Sequence, residues 1–420
     1  MSLANQAKRA AQLLKSEGVA SVAWRSAKWL DGRFSPFAEA PLSTVFPDDI
    51  TPVDWTEPET NNAQSIARPA NGYEVAWLIS PPSRTSGGHQ NAFRFLNELE
   101  RAGNRVTVYL YSTAKYPKVV VEDIRQMMQD TTAYPGVAGE IKIYDPTVGI
   151  EGDPDALVAC DWATAYAVRR HTGRAKRFYF TQDYEPAFYP WGSDYVAAEN
   201  SYRLGLHGFS AGRWLAAKLR DEYGMSCDAY DYAIDPELYR RTNLNRRNDV
   251  LFYARPPTPR RATEFGLLAL AELHRQRPDI RIHLVGWDMS GFDVPFPYVN
   301  HTALDIAQLS DVYNQCAAAL LLSLTNLSLL PIEVLAAGTV PVVNDAPNTR
   351  GVLDSPFVDF APMAPKVLAE RLIAAVDRPD QQEYSAQIAQ SVQQMHWSDP
   401  GAEFIAQFNQ AMQGPTGIHP

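Results

Sequence analysis

Several side chains in this sequence stand where phosphate could be handled. Tyr253, Ala254 and Arg255 end a predicted strand, and Pro256, Pro257 and Pro259 lead on to Arg260 and Arg261 just before a predicted helix. Guanidinium forks match phosphate oxygens in pairs, and cations at this turn would stabilise a leaving diphosphate without a metal. A solvated basic turn has the same spacing. Earlier in the chain, Ser86, Gly87 and Gly88 join a strand to a helix. Glycines there let a ligand approach backbone N–H groups at a helix N-terminus, where the dipole favours an anion. A plain tight turn has the same composition, and His89 shares that ambiguity.

The carboxylates divide in a similar way. Glu333 follows Pro331 at the start of a helix, where it could hold ribose hydroxyls or simply favour the helix dipole. Asp183 and Glu185, in Gln182-Asp183-Tyr184-Glu185-Pro186, follow a predicted strand. They could orient an acceptor or act in acid–base work, and could equally cap the next turn. Asp161 and His89, at other strand ends, are lesser candidates for contacts to a sugar.

These residues need elements to position them. From Tyr73 onward, short apolar runs alternate with amphipathic stretches, the signature of βαβ units and a parallel sheet. The first series predicts strands at Glu74–Ile79, Arg105–Leu110, Glu140–Tyr144, Ala156–Cys160, Arg177–Thr181 and Leu206–Phe209. Helices are expected at His89–Ala102, Trp162–His171 and Ala211–Tyr223. A polar link around Arg240–Asn248 precedes a second series, with strands at Val250–Tyr253, Ile280–Val285, Ala318–Leu322 and Val340–Val343. Helices there are Ala262–Gln276, Ile306–Asn314 and Pro331–Ala337, and three more close the chain. The expected organisation is an extension or linker over 1–71 with a helix from Leu3 to Lys15, an α/β domain over 72–245, a second over 246–395, and a final segment 396–420 crossing back onto the first. Open α/β sheets bind ligands at the carboxyl ends of their strands, so two doubly wound sheets facing across a cleft would place the chemistry between them.

Composition bounds the function. The 420 residues suffice for two cores, and 45% hydrophobic with 20% charged residues is the mark of a soluble globular chain. No apolar run approaches the roughly 20 residues that span a bilayer. With no continuous apolar leader either, a cytoplasmic protein is expected. Cys160, Cys227 and Cys316 are too few and too far apart for a disulfide framework or zinc site. A net charge of −10 argues against nucleic acid as partner. Trp24, Lys28, Trp29 and Arg33 in the extension keep a peripheral membrane contact open, with packing against the first domain favoured because the cations are few.

The ordered set Phe252-Tyr253-Ala254-Arg255, His283-Leu284-Val285-Gly286, Leu320-Leu321-Leu322-Ser323 and Pro331 to Val343 resembles retaining glycosyltransferases of family 4, of the GT-B fold. Ser86-Gly87-Gly88-His89, Gln182 to Pro190 and Leu324-Thr325-Asn326-Leu327-Ser328 are similar to bacterial rhamnosyltransferases that build surface-layer glycans or related polysaccharides. The resemblance implies dTDP-L-rhamnose as donor, a growing or lipid-linked glycan as acceptor, work at the inner face of the cytoplasmic membrane, and no cofactor or bound metal. It implies that Glu333 binds the ribose, Gly286 lies near the base, and Arg255, Arg260 and Arg261 steady the diphosphate. Gly87 and Gly88 would approach that diphosphate from the first domain, and Thr325, Asn326 and Leu327 would lie near the sugar. Asp183, Glu185, Arg255 and Arg261 would carry the catalytic roles. The family has two glutamates separated by seven residues, and here the first is Thr325. That change suits a deoxyhexose and also leaves open a catalytically silent protein that binds glycan or a partner transferase. A GT-B enzyme of another class, such as an epimerase or phosphorylase, is a further alternative.

Overall fold

A computed structural model describes residues 43–57, 64–84, 86–114, 118–131, 134–302, 304, 306–353 and 355–414. The helix expected from Leu3 to Lys15 and the Trp24 and Trp29 segment lie outside them. The chain forms two units: one of residues 1–44 and 112–120, and one of 45–111 and 121–420 that holds every element below.

Runs of β-branched and other apolar residues buried on both faces become parallel strands. In chain order the first domain comprises α1 (Pro47–Ile50), β1 (Glu74–Ile79), α2 (Gly87–Arg101), β2 (Arg105–Leu110), α3 (Val121–Gln129), β3 (Glu140–Ile143), β4 (Ala156–Ala159), α4 (Trp162–Arg170), β5 (Lys176–Thr181), α5 (Ser193–Ser201), β6 (His207–Ala211), α6 (Arg213–Tyr223) and β7 (Cys227–Tyr230). The second comprises β8 (Asp249–Tyr253), α7 (Thr263–Gln276), β9 (Ile282–Val285), β10 (Val299–Asn300), α8 (Ile306–Gln315), β11 (Cys316–Leu321), α9 (Leu330–Ala336), β12 (Val340–Asn344), α10 (Pro347–Arg350), β13 (Asp359–Ala361), α11 (Pro365–Asp377) and α12 (Gln381–Ser391), before α13 (Ser398–Gln413). The sheets run β3-β2-β1-β4-β5-β6-β7 and β10-β9-β8-β11-β12-β13, with every pairing parallel. Each is doubly wound, with its order reversing between β1 and β4 and between β8 and β11, where ligand crevices form.

Several elements go beyond the sequence reading. The supposedly irregular stretch before Pro69 contains α1, and α3, α5 and the edge strands β7, β10 and β13 were not expected. Edge strands are short and partly solvated: β7 has two half-buried residues between two buried ones, and β10 has two residues, both half-buried. Such strands carry little apolar signal.

Three devices hold the frame. The Asp49 carboxylate, fully buried on α1, accepts from the hydroxyls of Tyr111 (3.0 Å) and Tyr144 (2.7 Å) and from Arg170 of α4 (2.8 Å). Burial still pushes its carboxyl above the ordinary range against those three donors. Helix α13 returns to the first sheet, where Phe404 and Phe408 meet Phe95, Phe178 and Phe209 with ring centroids 4.9–5.2 Å apart. The outgoing and returning chains touch as they pass between domains: Ile234 N–H donates to the Met395 carbonyl (2.9 Å) and Ile234 bridges His396.

The β1–α2 turn is fixed by His89. Its Nε2 donates to the Ser80 carbonyl (3.0 Å), and its Nδ1 lies 2.6 Å from the hydroxyl of Ser86, the helix N-cap. Burial pushes the imidazole down to about 4, with the Ser80 contact opposing, so the ring is neutral at pH 7.

Two outcomes are expected. Asp49→Ala, which leaves two buried hydroxyls and a cation without their acceptor, should cost about 3 kcal/mol of stability in urea unfolding; a loss below about 1 kcal/mol would mean that α1 is not anchored through this carboxylate. Because the folded His89 pKa lies below the unfolded value near 6.5, the unfolded chain binds the extra proton and stability falls as pH drops from about 6.5 toward 4. His89→Gln should therefore recover about 2 kcal/mol of the wild-type loss between pH 7 and 5, and an unchanged pH slope would refute the assignment.

Candidate functional site

The candidate residues occupy the carboxyl ends of the strands. Gly87, Gly88 and His89 follow β1, Asp161 follows β4, and Asp183 and Glu185 follow β5; Arg255, Arg260 and Arg261 follow β8, Gly286 follows β9, and Thr325, Asn326, Leu327 and Glu333 follow β11. Four of the strands concerned, β1, β4, β8 and β11, flank the two points where strand order reverses.

Direct contact between the domains centres on Asp183, which is 9% exposed. Its Oδ2 accepts from Arg260 Nε (3.0 Å) and from the Thr325 hydroxyl (3.1 Å), and its Oδ1 accepts from the backbone N–H groups of Asn326 (2.8 Å) and Tyr184 (2.8 Å). Asn326 answers in the other direction: its Nδ2 donates to the carbonyls of Gln182 (3.0 Å) and Ala211 (2.9 Å). Arg261 donates to the Asn326 carbonyl (3.3 Å), and Leu327 is buried beside it. Position 325, where the resemblance expects a carboxylate, thus carries a hydroxyl that donates to a carboxylate from the opposite domain.

The basic turn is built on an unusual backbone. A 3-10 turn over Pro259–Arg261 ends at Ala262 with φ of 47°, and α7 starts from that residue. Among the described residues, the non-glycine positions with positive φ are Ala262 and Ser328, one in each of the loops after β8 and β11. Such outliers persist where surrounding structure enforces them and cluster at ligand clamps. Arg255 donates to the Tyr253 hydroxyl (3.2 Å), and Arg260 lies 3.7 Å over the Phe188 ring. Gly286, at φ of 98°, packs against Tyr253 so closely that a Cβ would meet the ring at 3.0 Å. At Gly87 a Cβ would meet nothing within 4 Å, so packing does not demand glycine at the start of α2.

Glu333 belongs to a second cluster. Its Oε2 accepts from the Tyr313 hydroxyl (3.0 Å), Tyr239 also hydrogen-bonds it, and burial pushes its carboxyl up despite both donors and the nearby Arg94 charge. Arg94, on α2 of the first domain, is surrounded electrostatically by Asp235, Tyr239 and Glu333, and stacks 4.9 Å over Trp397. Burial, the largest influence on it, pulls the guanidinium below its ordinary value. A carboxylate able to take ribose hydroxyls and a partly desolvated cation from the other domain therefore share one space. Sequence reasoning missed Arg94, Tyr239 and Tyr313. The signal for Arg94 was a lone cation between Phe93 and Phe95 on the inner side of α2.

The remaining candidates are turned inward. Glu185 is 4% exposed; its Oε2 accepts from Trp162 N–H (2.6 Å) and the Tyr179 hydroxyl (2.9 Å). Burial, reinforced by the Asp161 charge, holds its carboxyl well above the usual range. Asp161 caps α4 by accepting from Thr164 N–H (2.9 Å). His89 is committed to the β1–α2 turn. A groove of about 500 Å³ lined by Glu74, Arg105 and Glu140 lies over the amino ends of β1–β3, on the far edge from this chemistry. Among the described residues no cluster of His, Cys, Asp and Glu is arranged to hold a metal, and no helix is long and apolar enough to cross a membrane.

Both domains are similar to those of known proteins. Residues 82–208 match the model of the WsaF N-terminal domain and residues 248–373 that of the WsaF C-terminal domain. The O-antigen biosynthesis protein RfbC of Myxococcus xanthus is 30% identical over 317 residues, covering 73% of this chain and 24% of that protein. The chain thus spans about a quarter of this curated relative's length. Anabaena HepE, solved in complex with UDP and glucose, superposes with a TM-score of 0.58 at 12% identity, covering 80% of this chain and all of that one. WaaG, a glycosyltransferase involved in lipopolysaccharide biosynthesis, gives 0.56 at 12% identity over 81% of this chain and 100% of its own. At such identities the likeness establishes the two-domain GT-B fold. With both domains of one family present in order, and together taking in more than half of its length, the chain belongs to the WsaF family.

Proposed function

We propose that this protein is a retaining glycosyltransferase that moves L-rhamnose from dTDP-L-rhamnose to a growing bacterial surface glycan, free or lipid-linked, at the inner face of the cytoplasmic membrane. The observation that carries the reading is the cluster of Glu333 with Arg94 of the opposite domain, together with the Arg255–Arg261 turn at the end of the strand beside the one that Glu333 follows. A carboxylate for ribose hydroxyls beside cations for a diphosphate is the donor set that a nucleotide-sugar requires. The name of the Myxococcus relative and the nucleotide in the HepE structure point the same way.

In this reading, guanidinium groups stabilise the negative charge that develops on the leaving diphosphate, which is where electrostatic catalysis yields most. The acceptor hydroxyl attacks from the face the diphosphate leaves and gives its proton to a departing phosphate oxygen. The bond from the anomeric carbon to phosphate oxygen breaks as the new glycosidic bond forms, and no protein nucleophile or metal takes part. Asp183 acts by position: two of its four hydrogen bonds fix Thr325 and Asn326 at the sugar end of the donor site. The Thr325 hydroxyl leaves less charge and more room than a glutamate, which suits a deoxyhexose.

Calorimetry with dTDP, UDP and GDP tests the donor. Micromolar dTDP binding is expected, with Glu333→Gln and Arg94→Ala each weakening it at least about tenfold, or 1.4 kcal/mol. Tighter UDP or GDP binding would replace the donor while keeping the transferase. Absence of all nucleotide binding would overturn the reading in favour of a catalytically silent protein.

A further inference from the structure

We propose that Trp191 and Tyr195 form a platform on the first domain on which a pyranose ring of the acceptor glycan stacks; this rests on the glycosyltransferase reading above. The segment Glu185 to Tyr195 begins in the core at Glu185 and climbs to Trp191, which is 85% exposed. A large aromatic ring left in water forgoes the stabilisation that burial would give it. Exposed rings of this kind mark binding surfaces when they are held rigid.

The exposed ring is braced by its neighbours. The Trp191 indole stacks on Tyr195 with centroids 4.4 Å apart and planes 21° apart. Tyr195 in turn hydrogen-bonds Tyr184, whose hydroxyl lies 2.6 Å from that of Tyr223. Pro186 and Pro190 bracket the turn that precedes α5. The indole is thereby presented as a flat, supported face. The strip also connects to the site: Phe188, 36% exposed, carries Arg260 over its ring, and Arg260 is bound to Asp183 between the domains.

The chemistry selects a sugar. One face of a pyranose is a patch of C–H groups that packs on an aromatic face, while its rim of hydroxyls seeks acceptors. Between Glu185 and Ser201 the charged residues are Glu185, Asp194 and Glu199, with no lysine or arginine. The cations that reach the neighbouring rings, Arg260 over Phe188, Lys218 over Tyr184 and Arg203 over Tyr223, are engaged one step away from Trp191 and Tyr195, which suits a neutral glycan better than an anionic lipid surface. A deoxyhexose, whose methyl group enlarges the apolar face, suits the platform best.

The test uses the full chain labelled with 5-fluorotryptophan, the Trp191 signal being assigned by Trp191→Phe. Titration with a rhamnose tetrasaccharide should shift that signal saturably, with a Kd on the order of 1–10 mM, and leave the other tryptophans in place. Tyr195→Ala should weaken binding about fivefold or more, and Trp191→Ala should abolish it while leaving dTDP affinity within about twofold. A still signal in a protein that binds dTDP would overturn the platform and leave the transferase reading standing; loss of dTDP binding in the wild-type chain would instead strike at that reading. A shift caused by vesicles of phosphatidylglycerol and phosphatidylethanolamine, but not by the saccharide, would overturn the proposal in favour of a membrane contact.

Discussion

Asp183 accepts four hydrogen bonds, one from its own loop and three from the opposite domain, and much of the site is arranged around it. A carboxylate this shielded is costly unless its lone pairs are filled. Here the donors that fill them come from both loops of the second sheet's switch point, so satisfying one buried charge fixes the separation of the two strand edges. The Arg260 contact adds an opposite charge, and the Asn326 amide closes the loop in reverse by donating to two first-domain carbonyls.

Around this point the two domains contribute unlike parts. The second supplies the strained turn at Ala262, the cations and the Glu333 carboxylate. The first supplies a helix start without packing constraint at Gly87, a neutral His89 that pins the preceding turn, and Arg94. Group transfer profits from such a division, because reactants held from two sides lose the freedom that would otherwise slow their encounter.

The sheets were legible because their strands are nearly pure apolar runs: Glu74–Ile79, Arg105–Leu110 and Val340–Asn344 fall almost where the pattern places them. Edge strands such as Asp359–Ala361 were not, since three residues at a solvated margin need no hydrophobic pattern. In the site, the strand-end rule found the loops but could not assign their side chains. Asp183 and Glu185 look equivalent in sequence, yet one reaches Thr325, 142 residues away, and the other turns into the core to cap α4. Such partnerships are made by tertiary structure alone. Arg94 was hidden for a related reason: a cation among phenylalanines looks like a surface position until a second domain is set opposite it.

The paired passage of Ile234 and His396 bears on how the two halves can move. A single linker would let one lobe tumble freely about a point, whereas two adjacent strands joined by a hydrogen bond define a line. Because α13 is stitched into the first domain by Phe404 and Phe408, the returning chain cannot slacken to release that line. Any displacement of the second domain therefore has to be accommodated at this paired crossing and at the hydrogen bonds between the Asn326 loop and Asp183.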